Sequence, residues 1–367
     1  MPEALEMMRQ SSSGELNKLV IDVMGGDLGP QEVIAGVALA VKELGRRLPE
    51  VILVGNESQI QPLLKEYGIS DKKKISVMHA SEVIEMDDKP IQALKAKKDS
   101  SMVRALELVK DGKAQAVLSC GNTGSLMAGG TIKLRTLSGV ERPALASIVP
   151  SCDKRHFVLI DGGANPEPTA EQMAHNAVLG NAYYRAMFSV DKPRVGLLTI
   201  GTEEGKGVTL TRNTHELLKQ LDGLINYLGL IEGFQLFNNE VDVVVCDGFV
   251  GNVLLKSWES MIHAAQKAVK EELSRNFMRK IAAILFRGSY YSIKNQFDPD
   301  RYGAVPLLGL TGMVLKAHGS SNRMGIKNAI KAACTLFQHE MDDQIAMDIE
   351  AANQLMRPQL DSENPAT

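Results

Sequence analysis

Short apolar runs rich in Val, Ile and Leu alternate along the chain with longer amphipathic segments. The runs KLVIDVM (18–24), EVILVG (50–55), KISVMH (74–79), AQAVLS (114–119), ALASIVP (144–150), HFVLID (156–161), RVGLLTI (194–200), DVVVCDG (242–248) and GMVLKAHG (312–319) predict strands. Several are apolar at nearly every position, which suits strands covered on both faces. Helical patterning predicts helices near 30–46, 101–111, 123–136, 168–188, 209–221, 250–272 and 321–340, between and after the strands. The alternation predicts a three-layer α/β/α sandwich around a mostly parallel sheet. A single domain is expected over 16–345, with 1–15 and 346–367 as peripheral or flexible ends.

Ligands of such sheets gather beyond the carboxyl ends of the strands, where loops lead into helices. Those loops share one chemistry: DVMGGDLGP (22–30), SCGNTGS (119–125), DGGANPEP (161–168), GTEEGKG (201–207), DGFVGN (247–252) and AHGSSN (317–322). Any one of them is explained by turn requirements, Gly for positive φ and Asn, Asp, Ser or Thr for helix caps. Six at one predicted rim point to a binding edge. A rim of amides, hydroxyls and carboxamides suits a phosphate ion, because a helix N-terminus offers unpaired N–H groups and about half a positive charge. In SCGNTGS, Asn122 and Thr123 either cap the following helix or touch the anion, and Gly121 and Gly124 allow close backbone approach.

Composition removes other classes. Apolar residues make up 44% and charged residues 23% of the 367 positions, an ordinary soluble balance. With 41 Lys+Arg against 44 Asp+Glu the net charge is -3, which argues against nucleic acid recognised through a whole-surface basic field. Cys120, Cys152, Cys246 and Cys334 are too scattered for a zinc site and read as reduced thiols. No G-x-G-x-x-G follows the first strand, and Asp27 and Pro30 sit where a pyrophosphate needs bare amides. GTEEGKG is one residue short of a P-loop, with Gly207 where magnesium needs Ser or Thr. No G-x-S-x-G elbow is present. A signal-peptide stretch and a run of about 18 apolar residues are both missing, so a cytoplasmic location is expected.

Eight ordered segments make the chain, from about 18 to 340, resemble the bacterial phosphate acyltransferases of phospholipid synthesis. They are DVMGGDLGP, KAKKDSS (95–101), SCGNTGS, ERPALASIVP (141–150), LIDGGANPEP (159–168), IGTEEGKG (200–207), DGFVGNVLLKSWE (247–259) and YGAVPLLGLTGMVLKAHGSS (302–321). The departures are small: Cys120 stands where Ala is expected, and Val305 falls in a stretch of usually smaller residues. The resemblance implies a phosphotransacetylase and isocitrate-dehydrogenase-like fold. It also implies transfer of a long-chain acyl group from acyl carrier protein to inorganic phosphate, giving acyl phosphate without a cofactor.

Phosphate is already a nucleophile at neutral pH, so such a site must position it and screen its charge. Gly121, Asn122, Thr123, Gly124, Ser320 and Ser321 are the expected phosphate ligands, and His318, Lys316 and Asn122 the expected catalytic groups. His318 stands between Lys316 and a Gly-Ser-Ser turn, whereas His79, His156, His175, His215, His263 and His339 are scattered and read as structural or surface residues. A simple thiolate, with a pKa of about 8.5, leaves without obligatory acid assistance. Gly25, Gly26, Asn165 and Asn252 are expected to bind substrate or shape the site. The rim acids Asp22, Asp27, Asp161, Glu203, Glu204 and Asp247 repel phosphate unless they orient cations, with Lys206 and Lys256 as partners; turn capping is the other reading. Oxygen groups at loop spacing do not select a metal, and none is expected. Lys95, Lys97, Lys98 and Arg104 form either a solvated face or a docking surface for an acidic carrier protein, with Lys97 and Lys98 also candidates for the site.

Positions 273–297 contain no acid, and Phe277, Ile281, Ile284 and Leu285 recur at helical spacing beside Arg275, Arg279, Lys280, Arg287 and Lys294. That pattern fits core or dimer packing, or contact with an anionic bilayer. The resemblance implies a helical protrusion over 255–298 that dimerises and meets the inner face of the membrane. A membrane-bound glycerol-phosphate acyltransferase is a candidate partner there. The two other readings are a phosphotransacetylase-like enzyme using acyl-CoA and a non-catalytic membrane-surface scaffold.

Overall fold

The computed structural model describes residues 17–151, 153, 155–201, 207–338 and 341–356. They fall into two compact units, one running to Leu137 and resuming over Tyr302–Asp342, the other comprising Ser138–Arg301 and the residues from Asp343. The first unit opens with β1 (Lys18–Asp22), α1 (Gly29–Leu44), β2 (Glu50–Gly55), α2 (Glu57–Glu66), β3 (Ile75–His79), α3 (Pro90–Ala96), α4 (Ser101–Lys110), β4 (Ala116–Ser119) and α5 (Thr123–Leu134). The second unit contributes β5 (Ala144–Pro150), β6 (His156–Ile160), α6 (Ala170–Phe188), β7 (Arg194–Leu198), α7 (Thr209–Gln220), β8 (Asn226–Ile231), β9 (Val243–Val245), α8 (Gly248–Ser274), α9 (Phe277–Leu285) and α10 (Arg287–Gln296). The chain then returns to the first unit for β10 (Val305–Leu308), β11 (Met313–Lys316) and α11 (Arg323–Phe337), and α12 (Met341–Leu355) begins at the boundary.

Strands in the first unit are ordered β3-β2-β1-β4-β11-β10, and only β10 runs antiparallel to its neighbour β11. Leu19, Val20 and Ile21 in β1 are fully buried although alternate side chains point to opposite faces, so both faces of the sheet are covered. Helix α1 packs along α11, and α4 along α5.

Strands in the second unit are ordered β5-β6-β9-β7-β8, with β5 antiparallel to β6 and the others parallel. Its helix α6 starts at a reciprocal capping box, in which the Thr169 hydroxyl accepts from the Gln172 amide and the Gln172 side chain accepts from the Thr169 amide. Phe157 meets Phe237 and Trp258 edge-on, with centroids 5.7 and 6.0 Å away, over buried Leu159, Ile231 and Val244. Helix α12 docks through buried Ile345, Ile349 and Ala352, and Asn353 hydrogen-bonds His175 at 2.7 Å. The mostly parallel strands of each unit and the twelve helices among the described residues make this an α/β fold, as the alternation predicts.

Two strands escape the apolar pattern. In β8 the run NYLGLI opens on an exposed Asn226 and is broken by Gly229, whose φ is 102°, and only Ile231 is buried, so no continuous apolar run marks it. In β10 there are only four residues and one is Pro306. The run 312–319 forms a strand only as far as Lys316, and its last residues become a loop.

Arg194 opens β7 and is tied to Asp242, just before β9, by Nε–Oδ2 and Nη2–Oδ1 contacts of 2.9 and 3.0 Å. Burial works against the Asp242 carboxylate, but the Arg194 hydrogen bonds outweigh it and hold the carboxyl below its usual range. A depressed folded-state pKa stabilises above the unfolded value and loses that effect as pH falls through the folded value. Asp242→Asn is therefore expected to cost about 2 kcal/mol at neutral pH. In chemical denaturation the difference from the parent protein should shrink below pH 4.

Candidate functional site

Chain topology places a switch point in the first unit. From β1 the chain moves outward through β2 and β3, then returns to β4 on the other side of β1. Ligands of parallel sheets collect at such points, beyond the carboxyl ends. Asp22, Ser119 and Lys316 are in register there, as the last residues of β1, β4 and β11.

Asp22 is 1% exposed, and its Oδ2 accepts a 2.6 Å hydrogen bond from the Ser119 hydroxyl. Burial raises its carboxyl above the usual range, while the Ser101 and Ser119 hydroxyls and the Met24 and Gly25 amides pull it back. A carboxylate so enclosed is a brace for the loop that follows. Gly25 is required by that packing, since a Cβ there would lie 2.6 Å from Asp22 Oδ2 and 2.8 Å from the Gly121 Cα. Gly26 follows against Cys120, and the exposed Asp27 joins the last rim loop through its amide, which donates to the Gly319 carbonyl at 2.9 Å.

Gly121 is buried and donates its amide to the Ser119 hydroxyl at 3.0 Å. Asn122 is the N-cap of α5 and is itself buried. Its Oδ1 accepts from the Ser125 amide at 2.9 Å, and its Nδ2 donates to the Met86 and Asp88 carbonyls at 2.7 and 3.1 Å. One carboxamide thus caps the helix and clips segment 85–88 beside it. The Thr123 and Gly124 amides have no acceptor among the described residues, and Thr123 is exposed, so the first turn presents two donors and a positive dipole end.

From β11, the Lys316 ammonium reaches across to the Cys120 carbonyl at 3.3 Å and also contacts the Ala317 carbonyl. Its charge is held beside the strand-to-helix turn of β4 and α5. In the loop beyond it, His318 Nδ1 and Ser320 Oγ lie 3.0 Å apart, both residues are exposed, and the buried Ser321 donates its amide to the His318 carbonyl. Asn122, Thr123, Gly124, Lys316, His318, Ser320 and Ser321 all stand at or just beyond the carboxyl ends of the adjacent strands β4 and β11.

Two cations of the 95–104 run are paired. Lys97 contacts Asp88 at 2.5 Å, and Arg104 contacts Asp99 at 2.7 Å. Hydrogen bonds from Ser81 and Arg104 hold the Asp99 carboxyl far below its usual range. Lys95 and Lys98 are exposed with no ion pair among the described residues.

In the second unit Asp161 repeats the Asp22 arrangement. Fully buried after β6, it accepts from the amides of Leu145, Gly163, Ala164 and Asn165 at 3.1, 3.0, 2.9 and 2.7 Å, and from Asn165 Nδ2 at 2.9 Å. Burial raises this carboxyl and those amides oppose the shift. Gly251 lies so close to the Asp161 carbonyl that a Cβ would overlap it, at 2.0 Å. Asp247 is the N-cap of α8, accepting from the Val250 amide at 2.8 Å, and Asn252 is exposed on the first turn. The expected Asp247–Lys256 pair is not formed: Lys256 contacts Glu259 at 3.6 Å, one helical turn onward. Glu203, Glu204 and Lys206 lie outside the described residues.

Ser101, Ser119, Met86 and Asp88 were not identified from the sequence. Ser119 has a readable signal, a hydroxyl ending an otherwise apolar strand. Met86 and Asp88 lie in a segment with no periodicity and are placed by tertiary contacts alone.

A family model described as fatty acid synthesis protein matches residues 17–344. The chain is 37% identical over 337 residues to a phosphate acyltransferase of Clostridioides difficile (strain 630), covering 92% of this chain and 97% of that one. It is 43% identical over 316 residues to a phosphate acyltransferase of Desulforudis audaxviator, covering 86% and 91%. Among solved structures, a phosphotransacetylase from Streptococcus pyogenes superposes with a TM-score of 0.57 at 19% identity, covering 92% of this chain and 99% of that one. A branched-chain phosphotransacylase from Enterococcus faecalis V583 does so with a TM-score of 0.55 at 13% identity, covering 87% and 98%. These structures share the fold.

The double use of the Asn122 carboxamide has a measurable consequence. Asn122→Ala is expected to lower stability by about 1–3 kcal/mol through the lost cap and the unsatisfied carbonyls. Hydrogen exchange should quicken at the Ser125 amide and across 85–88, and unchanged exchange in both places would contradict the arrangement.

Proposed function

The chain belongs to the fatty acid synthesis protein family and is a phosphate acyltransferase by its likeness to relatives of that name over most of its length; from this premise we propose that it moves a long-chain acyl group from acyl carrier protein to inorganic phosphate, releasing acyl phosphate for phospholipid synthesis. The observation that carries the reading is that the Lys316 ammonium reaches the Cys120 carbonyl, in the turn that leads to the two free amides of α5, at a switch point of a parallel sheet.

In this reading the Thr123 and Gly124 amides and Lys316 hold the phosphate dianion, and Ser320 and Ser321 close its other side. Asn122 keeps the amides aimed, and Asp22 braces the loops beneath them. One phosphate oxygen adds to the thioester carbonyl carbon, the carbonyl oxygen becomes an oxyanion, and the C–S bond breaks as the C=O bond reforms. His318 stands on the same loop as Lys316 to donate a proton to the departing thiolate. Lys95 and Lys98, the unpaired cations of their run, are the acidic carrier protein's point of approach.

The second unit supplies a membrane-facing element. Phe277, Ile284 and Leu285 are 75%, 73% and 79% exposed, with Ile281 at 40% on the same helix. No helix among the described residues is long and apolar enough to cross a bilayer. The exposed apolar groups together with Arg275, Arg279, Lys280 and Arg287 fit peripheral contact with an anionic inner membrane surface. Helix α8, which buries only Gly248 and Gly251 in the monomer, offers a surface for a homodimer.

Offered long-chain acyl carrier protein, long-chain acyl-CoA or acetyl-CoA with phosphate, the protein should form acyl phosphate fastest from the carrier-protein thioester. Acyl phosphate from acetyl-CoA alone would overturn the donor assignment. Lys316→Gln should lower kcat/KM for phosphate by about 10- to 100-fold while leaving the melting temperature within a few degrees.

Changing Ile284 and Leu285 to Ser should weaken sedimentation with anionic vesicles at low salt and leave turnover in free solution intact. A parent protein that ignores such vesicles contradicts membrane contact.

A further inference from the structure

At the amino ends of β1 and β2, the end of the first sheet opposite the candidate site, lies a cavity of about 380 Å³. The five residues of β1 separate the two ends by about 13 Å. Buried Leu48 and half-buried Phe337 and Cys334 provide its apolar surfaces, and Arg46, Arg47 and Lys74 its cations. Its acidic side chain, Glu50, is already paired with Lys18 at 3.1 Å. Arg46 and Arg47 have no carboxylate partner among the described residues. The Lys74 ammonium donates to the Arg46 and Leu48 carbonyls at 2.9 and 2.6 Å, clamping the turn that carries both guanidiniums. Burial pushes the Cys334 thiol up to about 11, with Arg47 and Lys74 opposing the shift.

We propose that this cavity binds a small phosphate monoester bearing a flat ring, of about nucleoside monophosphate size. Two guanidiniums and an ammonium, with Glu50 held by Lys18 and no other carboxylate among the described lining residues, favour a dianion, and guanidinium forks grip phosphate oxygens two at a time. An aromatic and an aliphatic side chain beside them suit a ring, and a volume of this order holds a small ligand. The inference does not depend on the reaction proposed above, because none of these residues stands at the candidate site.

The test titrates the 367-residue protein calorimetrically with AMP, phenyl phosphate and adenosine, and follows alkylation of Cys334 by mass spectrometry with and without each. AMP and phenyl phosphate should bind and should slow Cys334 alkylation by about 5-fold or more, as an occupant covering the thiol requires. Adenosine should do neither. Arg46→Gln and Arg47→Gln together should weaken AMP binding by about 10-fold or more. Failure of both phosphate esters to bind, equal binding of adenosine, binding that survives the double substitution, or alkylation indifferent to AMP would each overturn the proposal. The alkylation arm uses the unaltered protein, so it decides the matter even if the double variant misfolds.

Discussion

A carboxylate removed from water must be ringed by donors, and the first unit is arranged around Asp22, where that condition is met. Ser119 from β4, Ser101 from the start of α4 and the amides of Met24 and Gly25 converge on one buried group. This fixes the carboxyl end of β1 against that of β4 and folds the Gly-Gly loop over Gly121. The turn into α5 inherits its position from that contact, and Lys316 reaches the same turn from β11. Asp161 performs the same service in the second unit with backbone amides as donors. Asp22 and Asp161 are each ringed by donors, so they organise their loops as buried, hydrogen-bonded groups and not as isolated charges.

The arrangement divides labour between holding and reacting. Asn122 spends both carboxamide N–H donors on segment 85–88 and its oxygen caps the Ser125 amide, which leaves the Thr123 and Gly124 amides as the free donors of the turn. Preorganised donors of that kind need no rearrangement as charge shifts onto them, which is how a site with an already competent nucleophile gains rate. Segment 85–88 is held from two directions, by Asn122 at the site and by Lys97 at the end of α3. Mobility in that segment would therefore be felt at the α5 N-terminus.

The sequence carries the parallel-sheet architecture in the plainest way, because β1, β4 and β6 are apolar on both faces and each runs into a Gly-rich polar loop. SCGNTGS lies where its composition suggests, with β4 ending at Ser119 and α5 starting at Thr123. The choice at Asn122 between cap and anion ligand could not be read there, since it depends on carbonyls more than thirty positions away. The Asp22–Ser119 contact, between residues 97 positions apart, is equally silent in one dimension. Division into two units is hidden because strands and helices alternate without a break in composition across 138 and 301. Helices α9 and α10 are exposed along their length, which agrees with a segment whose apolar and basic groups are interleaved.

Phosphate lying against the first turn of α5 is the contact on which the proposed chemistry depends. Backbone amide NMR of the ¹⁵N-labelled protein, titrated with inorganic phosphate in the absence of acyl donor, reads that contact residue by residue. Saturable downfield shifts at Thr123 and Gly124, with little change at Ser125 whose amide is already held by Asn122, are the expected result. Saturable phosphate binding that leaves the Thr123 and Gly124 amides unmoved would contradict it.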